Sequence, residues 1–476
     1  MERVVNESYR PLMKIFKDNP RARATFNISG ALVELLDQKG YRDVLDALKE
    51  LLERGQVELT GSAAYHAFLP LLSKEEAIRQ IELNDVFLRG QFGGLYQPKG
   101  FFSPELAFDY QTAKIVRDRG YEWLVAPELA YGSQPAWPNK TFYLEEVPGL
   151  KIFFRHKRAS VLILAGISRT AESLLKVDLE DLVNQDIYIL AVMDAETFGH
   201  HRPGMDDFLE EILKLESFRS IKVSEIIERF GESEKVSVRE SSWSNEEQDF
   251  WLDKEKGVVS QNPFLLWKDP SNPIHQLQWE FAGWVVGLVK EKASGESRSR
   301  HALDKALGSD QFWWASAKPW WSLEMIEAGA FRLKELVEEL PRVTEEQRRK
   351  AGEYYRRILE HAFDWQRTGK IRDAYRKAGD WKSTPLKERT PPDWYNLIIL
   401  EFEDEMKKAA GNREFEKAIK WRDALIKLKK GTDIYDVLHV VDDLQTVRKI
   451  PSLKGVADHK PEEISEFARE HFIKGD

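Results

Sequence analysis

Apolar positions in the first 230 residues follow two alternating rhythms. Val44, Leu45, Leu48, Leu51 and Leu52 fall at i, i+1, i+4, i+7 and i+8, which predicts an amphipathic helix ended by Gly55. Residues 56–62 then read as a strand. A second unit opens on Ser73 with Glu76 three residues later, a capping-box spacing, and leads to the short apolar run Gly100, Phe101, Phe102. A third carries Ala113, Ile115 and Val116 to a stop at Gly120, and further strands are expected at 121–127, 152–156, 187–194 and 221–224. Short strands alternating with helices predict a parallel sheet. Several end in polar residues, at 60–62, 103–105, 155–157 and 194–196. Such ends converge on one face of a closed βα barrel, so a barrel is expected rather than an open sheet.

Beyond Glu232 the pattern becomes helical. Ile274, Leu277, Phe281, Trp284, Val285 and Leu288 make one stripe, and Thr344 with Gln347 opens a long charged helix that runs to about Arg367. Pro385, Pro391 and Pro392 among many charges suit a linker. Composition narrows the class. A chain of 476 residues calls for two or three domains, and 42% hydrophobic with 32% charged residues is globular. A formal charge of -9 disfavours a nucleic-acid surface, whereas a neutral polymer fits it. With no cysteine, disulfides and thiolate metal sites are excluded, and abundant charge without cysteine is the composition of heat-adapted proteins. No apolar run spans a bilayer and no signal-peptide pattern stands at the start, so no membrane partner and a cytoplasmic location are expected.

Candidate chemistry concentrates at strand ends. From Asp194 the chain packs Glu196, His200 and His201 into eight residues after an apolar run. If the strand continued, Asp194 and Glu196 would share a face, and two like charges there would raise at least one pKa, as a general acid requires. A surface turn or a metal site would account for the same residues. Glu105 follows Phe101, Phe102, Ser103 and Pro104; it reads equally as a strand-end carboxylate or as a glutamate favoured by a helix dipole. Glu58 and His66 lie in a third polar cluster, where a lone histidine is more often structural than catalytic.

In order and spacing, these segments resemble glycoside hydrolase family 57, over roughly residues 20–330. Residues 55–70, 101–107 and 193–201 match its second, third and fourth regions, and 309–314 is similar to the fifth with Gln311 interrupting the usual Asp-Trp order. The Phe-Phe before Glu105 and the many tryptophans look closest to the amylopullulanase-like branch. The resemblance implies an α/β fold, an incomplete seven-stranded (β/α) barrel followed by an α-helical domain. It implies α-glucan substrates, with Glu105 as nucleophile and Asp194 as general acid and base of a retaining mechanism. The two carboxyls would then lie about 5–5.5 Å apart. It further implies sugar contacts from Glu58, His66, Arg155, Glu196, His200, Trp243, Asp310 and Trp313, with no cofactor and no metal. Members begin with a strand carrying His-Gln-Pro; nothing of that kind precedes Glu7, so the chain is expected to start after that strand.

The expected domains are a barrel at 1–235, a Trp-rich helical domain at 236–380 completing the cleft, a linker at 381–395, a helical hairpin at 396–430 and a helical tail at 431–476. Nine of the fifteen tryptophans lie between Trp243 and Trp321; most are expected in the core, with a few walling sugar subsites. Glu414, Phe415, Glu416, Ala418, Arg422 and Asp423 resemble the UVR motif, a hairpin that implies a protein partner or self-association and no DNA chemistry. Two other functions compete. A metal-dependent deacetylase or mannosidase-like barrel would use Asp194, His200 and His201, although no His-x-x-x-His pair occurs. An inactive glucan-binding scaffold would fit the absent first strand and the terminal hairpin.

Overall fold

The structure, a computed structural model, describes residues 1–131, 139–164, 166, 168–175, 179–183, 185–216, 218–244, 262–293, 295–317, 320–371 and 392–430. Its strands are β1 (Ala24–Phe26), β2 (Val57–Leu59), β3 (Gly100–Phe102), β4 (Trp123–Ala126), β5 (Thr141–Leu144), β6 (Lys151–Phe154) and β7 (Ser233–Val236). β1 and β2 form a parallel pair with Thr25 opposite Glu58. The others form a sheet in the order β3-β4-β6-β5-β7, parallel except between β5 and β6. A bridge from Gly61 to Phe101 stitches the two ladders together. Central β4 is buried along its whole length, as a strand covered on both faces must be. Gly100 is required opposite Trp123, because a Cβ there would lie 2.1 Å from the indole.

The expected parallel sheet is a mixed one among the described residues, in two ladders with β5 antiparallel to β6. Two expected strands carry no ladder, for identifiable reasons. Along 187–193 the side chains do alternate: Ile187, Ile189 and Met193 pack on the core of the N-terminal helices, while Tyr188, Leu190 and Val192 face Phe153 and Val223. The backbone, however, is held through His156 N to Leu190 O at 2.8 Å and Val192 N to Ser160 Oγ at 2.9 Å, so a side-chain hydroxyl takes the place of a neighbouring strand. At 221–224 the chain turns into the helix Val223–Arg229, whose first N–H groups are taken by Thr25 Oγ1 (2.8 Å) and Glu58 Oε1 (3.0 Å). Capping decided that segment against the strand.

Residues 273–371 form a helical layer: α2 (Pro273–Lys292), α3 (Arg298–Ala306), α4 (Leu323–Glu339) and α5 (Glu345–Thr368), packed against the sheet and against α1 (Lys74–Phe92). One continuous core joins Phe101, Leu124 and Ile152 of the strands to Phe281, Leu333 and Ile358 of the helices. The capping box expected at Thr344 and Gln347 opens α5 as read. At Ser73 only half of the box forms. The serine caps α1, but Glu76 turns inward to Arg300 of α3.

That contact belongs to a buried network. Arg300 pairs with Glu76 and with Asp304, and Arg79 donates to both oxygens of Asp304 at 2.7 and 2.8 Å. Asp304 is fully buried and Glu76 nearly so. Removing one partner of a buried pair leaves an uncompensated charge, so Asp304→Ala is expected to destabilise the protein by about 3–5 kcal/mol. Denaturant unfolding followed by tryptophan fluorescence checks it; an unchanged midpoint would show that water reaches these arginines.

Helices α6 (Pro392–Gly411) and α7 (Phe415–Lys430) make the hairpin, zipped by Tyr395, Ile398, Phe402, Trp421, Ala424, Leu425 and Leu428. Phe402 and Trp421 meet edge to face at 5.2 Å. Of the linker expected at 381–395, residues 381–391 lie outside the described residues and 392–395 are the first turn of α6; the tail at 431–476 lies outside them too. Among the described residues no helix is long and apolar enough to cross a membrane.

Candidate active site

Glu105 stands in a turn directly after β3. Pro104 ends the ladder, and Glu105 takes up φ 61°, followed by Leu106 at φ 47°. A side chain in the left-handed region is uncommon outside glycine, and a bulky one there is strained, so the surroundings must hold it. They do. Ser242 Oγ and Trp243 N donate to the Glu105 carbonyl at 2.9 and 3.2 Å, Trp243 Nε1 donates to Oε2 at 2.8 Å, and His66 Nε2 lies 2.9 Å from Oε1. Both carboxylate oxygens are therefore oriented.

His66 is itself at φ 53° and is tied down by Ser309 N, which donates to its carbonyl at 3.1 Å. The Ala67–Gly308 bridge beside it brings the fifth segment, with Asp310, to the strand ends. Loss of solvation opposes charge on His66, but the Glu105 hydrogen bond and the charges of Glu105, Asp310 and Asp194 outweigh it and raise its pKa. The protonated imidazole is thereby favoured beside Glu105.

Asp194 lies at the end of the 187–194 run, ahead of the single turn Ala195–Thr197. Solvent reaches it, yet the protein mass around it pushes its carboxyl up to about 6. Lost solvation is the largest cause, then the charges of Glu196 and Glu105; His66 pulls the other way. Glu105, oriented at both oxygens, and Asp194, biased toward its acid form and sensing the charge of Glu105, can supply a nucleophile and a proton donor.

The other expected contacts divide. Arg155 is buried in a two-bond pair with Glu128 (3.0 and 3.1 Å), and its guanidinium sits 5.7 Å over the Trp243 ring, so it backs the residue that grips Glu105. Glu196 accepts from Tyr9 Oη, and His200 Nδ1 lies 2.7 Å from Glu7 Oε2. Glu58 is not gathered here: its carboxylate accepts from Thr25 and caps Val223–Arg229. Trp313 is half-buried and packs on Trp267 and Trp320 at the edge of an aromatic core that includes Phe68 and Phe312. Most tryptophans described are packed this way, Trp123 and Trp267 fully buried among them. Among the described residues no group of three His, Cys, Asp or Glu side chains is arranged to hold a metal ion.

Glu7, Ser8, Tyr9, Glu128 and Ser242 were not singled out by the sequence. Their partners lie up to 193 positions away, so no local spacing could have signalled them.

The model of glycosyl hydrolase family 57 matches residues 1–239, half of the chain, and that of the UvrB/uvrC motif matches 397–431. The 4-alpha-glucanotransferase of Thermococcus litoralis is 27% identical over 247 residues, 48% of this chain and 36% of that protein. A putative alpha-amylase of Methanocaldococcus jannaschii is 28% identical over 283 residues, covering 54% and 59%. The chain thus spans from about a third to just over half of these relatives. Among solved structures, the branching enzyme of Thermococcus kodakaraensis superposes with TM-score 0.54 at 16% identity, covering 76% of this chain and 91% of that one. The glucanotransferase of Thermococcus litoralis gives 0.57 at 20% identity, covering 70% and 55%. The fold is shared with both.

Proposed function

We propose that this chain, which belongs to glycosyl hydrolase family 57, is an enzyme that cleaves or transfers α-linked glucans through Glu105 and Asp194. The observation that carries the reading is the contrast between the two carboxyls: Glu105 held at both oxygens by Trp243 and His66, Asp194 pushed up to about 6. In the first step a Glu105 oxygen bonds to the anomeric carbon as the glycosidic C–O bond breaks, and the Asp194 proton passes to the leaving oxygen. In the second, water or a sugar hydroxyl attacks that carbon, gives its proton to Asp194 and releases Glu105, restoring the configuration. His66 and Asp310 face this cleft and serve the sugar, and Arg155 steadies Trp243. The similarity to proteins named alpha-amylase and 4-alpha-glucanotransferase supports the substrate class.

Incubation with amylose, pullulan and maltooligosaccharides tests the reading, with product lengths and new branches resolved by chromatography. Shortened or redistributed α-glucans are the expected result. Binding without any product would select the scaffold reading, and turnover abolished by chelator would select the metal-dependent one. The hairpin of α6 and α7 is proposed as a protein-contact or self-association unit, supported by its motif match and by exposed Leu400, Phe415, Ile419 and Ile426.

A further inference from the structure

The segment that precedes the first long helix makes an unexpected set of contacts. Val5–Tyr9 winds as a π-helix between Glu2–Val4 and Arg10–Asp18, a geometry that recurs at functional sites. It lies against the loop that carries Asp194. Ser8 Oγ donates to Ala195 O at 2.9 Å, Glu7 Oε2 meets His200 Nδ1 at 2.7 Å, and Tyr9 Oη donates to Glu196 Oε1. Gly199 stands at φ 98° with the Glu7 carbonyl where a Cβ would be, 1.9 Å away, so the loop can approach only as glycine. Three successive side chains of one turn thus grip residues 195–200.

We propose that Glu7, Ser8 and Tyr9 form a positioning clamp on the Asp194 loop, and that Tyr9 fixes the charged Glu196 beside Asp194. This rests on the reading of Asp194 as the proton donor. Tyr9 is almost wholly buried, and its phenol is biased strongly toward the protonated form, first by burial and then by the charges of Glu196 and Asp194. Toward the Glu196 carboxylate it donates. The hydrogen bond fixes where the Glu196 carboxylate sits, and its charge favours the protonated form of Asp194. The other groups that bear on the pair are Glu105, which acts in the same sense, His66, which opposes it, and His201, whose backbone N–H holds the Glu196 carbonyl at 2.7 Å. Buried and bonded to Glu196, Tyr9 is a positioning residue acting through that carboxylate.

The test uses the full chain with Tyr9→Phe, Glu196→Gln and the double variant. Without the phenol, the Glu196 carboxylate is free to swing away from Asp194, which then loses its proton at lower pH. The alkaline limb of kcat/KM on maltooligosaccharide should move down by about half a pH unit or more in Tyr9→Phe. Glu196→Gln should move it the same way, with no further shift in the double variant. A Tyr9→Phe profile superimposable on the parent's, at equal melting temperature, overturns the clamp while leaving Asp194 in its role. If Asp194→Asn keeps full turnover, the reading beneath it fails instead. The clamp is then judged by carbon NMR of side-chain-labelled aspartate, where the signal lost in Asp194→Asn must titrate at lower pH in Tyr9→Phe, and an unmoved titration overturns it.

Discussion

Glu105→Ala is expected to lower turnover of α-glucans at least about ten-thousandfold, the scale on which loss of a covalent nucleophile acts. Without the carboxylate no bond can form to the anomeric carbon, and the preserved proton donor has nothing to assist. Small anions should enter the space left beneath His66 and Trp243, so azide should restore part of the rate and give a glycosyl azide of inverted configuration, read by NMR. Full turnover without azide would remove Glu105 from the mechanism. The backbone adds an independent check. Glu105 lies at φ 61°, where alanine remains strained and glycine does not, so Glu105→Gly should be more stable than Glu105→Ala by roughly 1 kcal/mol. Both variants strand the Trp243 indole N–H and His66, which lose their partner.

The strain at Glu105 also marks the limit of what the sequence could disclose. Pro104 after an apolar run signals the end of a strand, but nothing local states that the next two residues turn left-handed; that follows from Ser242 and Trp243, more than 130 positions on. Strand positions were legible where the apolar run was itself a ladder, as at β3, β4 and β6. They were misread where side chains replaced a neighbour, with Ser160 serving Val192 and Thr25 with Glu58 capping Val223–Arg229. The same substitution explains Glu58. A carboxylate near the polar end of β2 has the pattern of a sugar ligand, but with a helix start opposite it becomes a cap. Asp194 beside Glu196 was readable as a pair of like charges, because side chains two apart share a face of any extended chain. That Asp194 is the one pushed toward its acid form was not readable, since the protein packed around it is the largest cause.

Asp194→Asn tests that bias most directly. Loss of proton transfer to the leaving oxygen should cost about a hundredfold to ten-thousandfold in kcat/KM on maltooligosaccharides. Substrates whose leaving group needs no proton, such as aryl glycosides with an acidic phenol, should suffer least in the first step. The pH profile carries the sign. Asp194 must hold its proton, so parent activity should fall as pH rises through about 6, and the residual activity of Asp194→Asn should show no such limb. Stability should run the other way. The folded protein binds this proton more tightly than the unfolded chain, whose aspartate titrates near 3.8, so the ionised carboxyl destabilises the fold increasingly between pH 3.8 and about 6 and constantly above. Asn cannot ionise, so above pH 6 the variant should melt higher than the parent, with the difference vanishing toward pH 4. A gain in stability paired with a loss of rate, both governed by one titration near 6, is what a carboxyl held against its solvation for proton transfer must give. A variant that is slower and also less stable at pH 8 would instead make Asp194 a structural residue of its loop.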